Sequence, residues 1–478
     1  MNRLAQFRTP RVDDAIAAAK PLSFWLDDPA APAPEPPFTG TMHADLAVVG
    51  AGFTGLWTAL LAKQADPALS VVVLEGERAA WAATGRNGGF CEASLTHGDA
   101  NGRSRFPDSF ERLQELGMEN LQAIEGFVKE REVDCGWERT GQLSVATAPW
   151  QLAELRGEGP PPPGFLDREA LLEEVSSPTY LGGVWNRDSC AMVNPARLAW
   201  GIRFACLEAG VRFFEHTPVA GMSRGGGGRS GIRGLLSPGV ELQTTSGRVH
   251  ADRVALATNA FDPLLQRVRL RIVPVYDHVL VTEPLSDEQL AAVGWRHRQG
   301  LSDAGNQFHY YRLTEDNRIL WGGWDAIYHY GRKVRPDYDQ RPATLRTLAR
   351  HFYETFPQLV GLGFTHRWGG AIDTSGRFCA FFGTAAGGRV AYAAGYTGLG
   401  VGASRFGARV MLDLLSGRHT ELTELDLVRT KPTPFPPEPF AWLTIQATRL
   451  SIAHADNHGG RRNAWLRSLD RLGLGFDS

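Results

Sequence analysis

"VVGAGFTGLW", Val48 to Trp57, is the stretch on which the reading of this chain turns. Its glycines at 50, 52 and 55 raise the question of whether a phosphate is cradled there. A three-glycine pattern is weak by itself in a chain with 54 glycines, so the flanks decide. "DLAVVG" (45–50) reads as a buried strand, a helix is predicted from about Thr54 to Lys63, and "SVVVLE" (70–75) reads as a second strand. The turn therefore sits at a helix N-terminus, where unpaired N–H groups and the helix dipole favour an anion. Gly50 permits the sharp turn, Gly52 admits a pyrophosphate to the backbone, and Gly55 lets helix and strand pack closely, with Ala59 keeping that contact thin. Glu75 follows Gly55 by 20 residues, where a carboxylate receives ribose hydroxyls. Phe53, Thr54, Gly76 and Arg78 complete the predicted dinucleotide-binding set.

The rest of the composition narrows the class. With 478 residues the chain exceeds the size at which one core keeps growing, so two packed domains are expected. A formal net charge of −2 argues against a nucleic-acid binder. Five scattered cysteines without CxxC spacing suggest neither a disulfide framework nor a metal site, and buried thiols are expected. The N-terminus lacks the unbroken apolar core of a secretory signal. The uncharged window Leu46–Ala62 is short for a membrane span and is weakened by glycines. A cytoplasmic protein, without membrane or nucleic-acid partners, is the expectation.

Along the chain, a proline-rich connector (27–37) closes an N-terminal arm that should lie over the surface. "PARLAWGIRFACLEAG" (195–210) is predicted helical and "VRFFE" a strand, while "GRVHADRVALATNA" (247–260) suggests two short strands divided by polar residues. "GQLSVAT", "VPVYDHVLVTEPL", "FHYYRL" and "RILWGGW" are strand-like and aromatic, suggesting an inserted antiparallel sheet. "SRGGGGRSG" (223–231) is a hairpin loop, and "KPTPFPPEPF" (431–440) an extended run before a helical tail.

NAD and FAD share the Gly-rich cradle, so a second criterion is needed. "ATGRNGG" supplies Thr84, Gly85, Arg86, Asn87, Gly88 and Gly89 for a second pass along a long cofactor. Arg86 can counter phosphate or a substrate carboxylate, and the plainer alternative is a capped turn at Arg86–Asn87. "GYTGLG" (Gly395, Tyr396, Thr397, Gly398, Leu399, Gly400) precedes a predicted helix at 404–417, whose N-terminus would stabilise negative charge on a reduced ring.

From about Ala44 to Gly417 the chain resembles the D-amino-acid oxidase superfamily of FAD-dependent amine oxidoreductases, and within it the gamma-glutamylputrescine oxidoreductase group. The matching pieces include "GAGFTGL", "ATGRNGG", "LATNAF", "VTEPL", "YYRLTEDNRILWGG", "RWGG" and "AAGYTGLG". The resemblance implies an α/β (α+β) fold: a Rossmann-like FAD-binding domain interleaved with an antiparallel-sheet substrate domain. It divides the chain into an arm (1–40), a discontinuous cofactor domain (41–100, 193–265, 365–425), a substrate domain (101–192, 266–364) and a tail (426–478). It places Val219 and Thr258–Asn259 at the adenosine and 396–400 beside the flavin. FAD should be non-covalent, since Cys379 stands about where the family often carries proline.

The implied reaction moves a hydride from the carbon beside a neutral amine to flavin N5, giving an imine. The substrate is a primary or secondary amine, with or without an acidic group, and oxygen is the acceptor, giving hydrogen peroxide. A dehydrogenase passing electrons to a quinone or partner protein is the alternative, and a non-catalytic flavoprotein a third. Candidate pocket residues are Tyr276 and His278, which share a strand face, with Tyr311, Arg312, Trp324 and Trp368. Arg312 suits a bidentate carboxylate contact; His278 suits either a proton acceptor or a structural histidine. No lysine falls in the pocket segments, although certain oxidases of the superfamily use one to promote reaction with oxygen. A monomer or homodimer is expected.

Overall fold

Uninterrupted apolar runs such as 46–49 require cover on both faces, which parallel sheets receive. The computed structural model describes residues 12–224, 239–261 and 263–471, and it gives the runs that cover. In chain order the strands are β1 (Gly40–Val49), β2 (Val71–Leu74), β3 (Phe90–Glu92), β4 (Gln142–Ala146), β5 (Phe165–Leu166), β6 (Gly182–Asn186), β7 (Cys190–Met192), β8 (Arg212–Phe214), β9 (Val219–Arg224) and β10 (Val240–Thr244). They continue as β11 (Gly247–Leu256), β12 (Ile272–Thr282), β13 (Gly300–Asp303), β14 (His309–Leu313), β15 (Ile319–Gly323), β16 (Ile327–Tyr328), β17 (Phe364–Ser375), β18 (Phe381–Ala385) and β19 (Val390–Ala394). The long helices are α1 (Phe53–Ala65), α2 (Phe110–Glu130), α3 (Pro195–Glu208), α4 (Pro342–Thr355), α5 (Gly400–Ser416) and α6 (Phe440–Asn457).

The first sheet runs β18-β19-β11-β1-β2-β8, with β10 pairing β11 and β9. β1 is parallel to β2 and β11, β2 to β8, and β11 to β19. Leu46 and Val48 pack into one core with Leu56 and Leu60 of α1 and Phe406 of α5. Ala47 and Val49 join a second core on the opposite face with Val249 and Tyr392. The second sheet runs β16-β12-β15-β14-β13-β4-β6-β5, with β17 against β12. One of its faces buries Leu280, Tyr311 and Trp321 under Leu348 and Phe352 of α4. The other presents Val279, Val281, Leu320 and Trp368 to Trp25 and Ala196. The α/β architecture with an added antiparallel sheet is as the resemblance implied.

Three expectations change. Segment 247–260 carries one ten-residue strand, β11, because its edges are held by β1 on one side and by β10 then β19 on the other. α2 falls in the segment assigned to the substrate domain, yet Leu113, Leu116 and Ile124 belong to the core of α1 and α5. β17, assigned to the cofactor domain, pairs with β12 from Ile272↔Ser375 to Thr282↔Phe364. An amphipathic pattern specifies that a face is buried, not which sheet receives it. The arm lies over the surface as expected, with most of its described residues exposed or half-buried, but it is pinned there: Trp25 is buried, and its Nε1 donates to Asn87 O (2.8 Å), while Ser23 Oγ donates to Gly85 O (2.6 Å). The predicted loop at 223–231 is β9 up to Arg224, and its remainder lies outside the described residues. All five cysteines are buried and unpaired, and no described helix is long and apolar enough to cross a membrane.

Glycine at 55 is a steric requirement: an added Cβ would collide with Gly50 O and approach Val48 Cγ1 to 3.2 Å. Gly126, mid-α2 and exposed, has open space around an added Cβ. Urea unfolding should therefore show Gly55→Ala losing at least about 1–3 kcal/mol through overpacking. Gly126→Ala should gain about 0.5–1 kcal/mol from helix propensity.

Candidate active site

The strands β1, β2, β11 and β19 are parallel, so the loops leaving their C-terminal ends open at one edge of the sheet, where such folds bind ligands. α1 starts there with Gly52 as its N-cap and no side-chain cap bond. A helix supplies no acceptor for its first-turn amides. The chain itself meets some of this need: Phe53 N donates to Thr84 Oγ1 (3.0 Å), and Ala51 N to Glu75 Oε2 (2.6 Å). Glu75 Oε1 accepts from Glu77 N (2.9 Å), and burial raises this carboxyl above the usual range. Gly50, at φ +104°, would bring a Cβ to 2.5 Å from Ala257 O, so the close approach of β1 to the β11 turn needs glycine. An anion at the α1 start would complete the hydrogen-bond accounting of that turn, so these residues fit an FAD pyrophosphate.

Other predicted cofactor residues lie along the same edge. Gly76 and Arg78 are exposed after β2, and Arg78 Nη2 donates to Pro32 O (2.9 Å) of the arm. Val219 begins β9, and Thr258 and Asn259 follow β11, Asn259 at φ +51° with its Oδ1 accepting Ala260 N (2.6 Å). α5 begins at Gly400, four residues earlier than expected, with no side-chain cap on Leu399. Added Cβ atoms at Gly398 and Gly400 would meet nothing within 4 Å, leaving this second helix start open. The two starts are tied together by Thr54 Oγ1, which donates to Tyr396 Oη (3.0 Å). The Tyr396 ring therefore packs between α1 and α5 rather than lining the cleft.

The "ATGRNGG" loop is stapled by Asn87, whose Nδ2 donates to Ala83 O and Thr84 O and whose Oδ1 accepts Gly89 N. The Arg86 side chain is largely buried and engaged by the protein itself. It ion-pairs with Asp339, donates to Trp81 O (3.0 Å) and Gly369 O (3.1 Å), and stacks on Trp81. Its expected role as a free countercharge is corrected accordingly. Gly88 lies against the Tyr310 ring, 2.6 Å from an added Cβ, and Gly89 adopts φ +77° beside Val193 O. These glycines let the loop touch the second sheet.

The second sheet assigns the pocket candidates by alternation. Asp277, Val279, Tyr310, Arg312, Leu320, Gly322, Trp368 and Gly370 form the face turned to the loop, through contacts with Trp25, Gly88, Gly89 and Arg86. Tyr276, His278 and Tyr311 project the other way, and their predicted role in the pocket is corrected. Tyr276 Oη accepts Arg335 N (2.9 Å), His278 Nε2 meets Tyr338 O (3.1 Å), and Tyr311 Oη bonds Tyr180 and Asp303. Burial pulls His278 down to about 4, so the ring is neutral and structural. Trp324 stacks on His309 (5.1 Å). Arg312 shares the loop-facing side, but its Nη1 donates to Gly89 O (3.0 Å) and Val193 O (2.8 Å), and its Nε to Leu313 O (3.1 Å). It is a buried clamp on backbone carbonyls, pulled down to about 10 by burial, and not a carboxylate receptor. Trp368 Nε1 donates to Arg86 O (2.8 Å), fixing the loop from beneath.

Three carboxyls escaped the sequence reading. Asp277 fills the break where β15 ends and β16 begins along β12: it accepts Gly323 N (3.1 Å), His278 N (2.7 Å) and the Tyr310 hydroxyl. Burial pushes it up to about 6 against the pull of those donors. Glu92, on β3 beside Gly402 of α5, shares a face with Phe90 and is half-buried. Loss of water pushes Glu92 up to about 7, and it has no hydrogen-bond or ion-pair partner in its surroundings among the described residues. Asp373 binds the 395–397 turn. Period two would have paired Asp277 with Tyr310 only if the strand pairing were already known.

A dinucleotide cradle, a second uncapped helix start and an overlying antiparallel sheet define an FAD-dependent oxidoreductase. The chain belongs to the DAO family, described as FAD dependent oxidoreductase, whose profile matches residues 45–414. It is 31% identical over 392 residues to gamma-glutamylputrescine oxidoreductase of Escherichia coli K12, covering 79% of this chain and 84% of that protein. It is 28% identical to the probable oxidoreductase OrdL of Haemophilus influenzae, covering 81% and 86%. Among solved structures, glycine oxidase from Geobacillus kaustophilus superposes with a TM-score of 0.62 at 19% identity, covering 81% of this chain and 99% of that one.

Gly52→Val should weaken FAD retention by at least about tenfold, roughly 1.4 kcal/mol, measured by fluorescence of released flavin. A yellow, stoichiometric variant would refute the cradle. For Asp277 the folded-state value lies above the ordinary 3.8, at about 6. Its contribution to stability is thus full below pH 4 and lost as pH rises through 6. The urea midpoint of Asp277→Asn should accordingly change less between pH 4 and 6 than that of the parent protein.

Proposed function

We propose that this flavoprotein oxidises a primary or secondary amine, with oxygen as the acceptor and hydrogen peroxide as by-product. The observation that carries this reading is the pair of uncapped helix starts, α1 and α5, held side by side at one edge of the parallel sheet by the Thr54–Tyr396 hydrogen bond. The 31% identity to gamma-glutamylputrescine oxidoreductase supports an amine as the substrate class. Held there, FAD would supply the hydride acceptor for the carbon beside the amine, and the resulting imine would hydrolyse to a carbonyl compound with release of ammonia or an amine. Glycines 50, 52 and 55, with Glu75, hold the dinucleotide end. The stapled 83–89 loop and the 395–400 turn position the ring end.

On the second sheet, the Tyr310 ring fills the space over Gly322 and Arg86 lies against Gly370, so this stretch of the loop-facing side is closed by the protein's own side chains. Glu92, half-buried on β3 beside Gly402 of α5 and without a partner among the described residues, is the group that would hold an ammonium or take its proton. Arg86 and Arg312 are both committed to groups of the protein, so a carboxylate on the substrate has no arginine receptor in these two.

A dehydrogenase is the second reading, and the placement of the lysines favours it. Lys20 pairs with Asp27, Lys63 and Lys431 donate to carbonyls beside them, Lys129 pairs with Glu125, and Lys333 is exposed. None reaches the loop-facing side of the sheet to promote reaction with oxygen.

An anaerobic panel of primary and secondary amines should contain members that bleach the flavin band. Reoxidation in air should then yield about one peroxide per turnover in the oxidase reading. Rapid bleaching with negligible peroxide would select the dehydrogenase, and bleaching by no amine would reject amine oxidation.

A further inference from the structure

The turn that launches α5 holds an awkward conformation. Gly395, Thr397 and Gly398 all have positive φ, at +77°, +52° and +96°. Thr397 is β-branched, so its left-handed geometry is strained and must be imposed from outside. The agent comes from the other sheet. Asp373, near the end of β17, accepts Gly395 N at 2.6 Å through Oδ2, and its own carbonyl accepts Thr397 N (3.3 Å). Thr397 Oγ1 accepts Ser375 N (3.2 Å) and donates to Gly395 O (3.0 Å). Glycine is obligatory at 395, because an added Cβ would lie 2.8 Å from Ser375 Cβ.

Asp373 is buried and has no ion-pair partner among the described residues, so backbone amides alone offset its charge. We propose that Asp373 is a positioning residue of the flavin site: by holding the Gly395 amide it sets the turn that aims the α5 N-terminus at the flavin ring. The inference rests on the reading that this helix start faces the reducible ring. It carries two separable effects. The hydrogen bond shapes the turn and so sets FAD affinity. The charge, lying behind the same amides, opposes the negative charge gained on reduction and lowers the potential.

Asp373→Asn keeps an acceptor for Gly395 N but removes the charge; Asp373→Ala removes both. The holoenzyme and both variants are compared at pH 8.5, where a carboxyl pushed up to about 7 is ionised. FAD released on dilution is read by fluorescence, and the midpoint potential by dye equilibration. Asp373→Ala should raise the Kd for FAD at least about tenfold. Asp373→Asn should stay within about threefold of the parent Kd. Its affinity ratio for reduced over oxidised FAD should rise about tenfold, which is about 30 mV for a two-electron couple. A merely structural role would not move that ratio in the Asn variant. An unchanged Kd in Asp373→Ala, or an unchanged potential in Asp373→Asn, overturns the proposal. Failure of the parent protein itself to retain FAD would instead sink the cradle reading beneath it.

Discussion

Two helices begin uncapped at one edge of a parallel sheet, and their first-turn amides lack acceptors within the helices that carry them. Much of the molecule follows from keeping both starts side by side. Gly55 lets α1 press onto β1, and Gly407 lets α5 accept the Tyr396 hydroxyl, which would collide with any side chain there. The Thr54–Tyr396 hydrogen bond then fixes one start relative to the other. A dinucleotide bound there would supply charge and acceptors where the chain has left donors, making cofactor affinity and local backbone satisfaction one physical requirement.

Beside the apolar layer around Trp25 and Trp368, buried polar groups of the second sheet tie down backbone atoms that strand pairing leaves open. Arg312 gathers the carbonyls of Gly89 and Val193, Trp368 takes that of Arg86, and Asp277 spans the gap between two strands along β12. Glu215 does the same for the arm, accepting Glu35 N and Ala79 N at 2.6 Å each while pairing with Arg203. Each such group would be costly unpaired in a dry interior, so each constrains its loop to one arrangement. The arm and the tail use the same device: Glu438 accepts Gly331 N (3.1 Å) and the Tyr328 hydroxyl, bracing the segment that leads to Asp339 and its ion pair with Arg86.

The cofactor half was the more legible part of the sequence. Turn chemistry and helix-start physics act over a few adjacent residues, so "GAGFTG", the carboxylate after β2 and "GYTGLG" can be read without knowing what packs on them. The substrate half was read less well. Tyr276 and His278 were correctly placed on a common strand face, yet period two leaves open which face meets the cofactor. Asp277, one residue away, shows how far a single step carries a side chain. The arginines misled for a related reason: a guanidinium suits a carboxylate, a phosphate or three backbone carbonyls equally well until its neighbours are known.

From its residues alone, then, this chain specifies a strand–turn–helix with an uncapped helix start, a second glycine-rich helix start, and a set of aromatic strands outside the parallel sheet. Those features depend on backbone conformations and periodicities encoded locally. Folding in three dimensions decided the rest: which sheet received α2 and β17, which strand face met the loop, and which polar side chains were consumed as internal ties. These are contacts between segments up to hundreds of residues apart, chosen by burial and by the demand that every enclosed donor find an acceptor. Asp373, distant in sequence from the cradle and meeting the 395–397 turn across the boundary between the two sheets, is the residue in which that division is plainest.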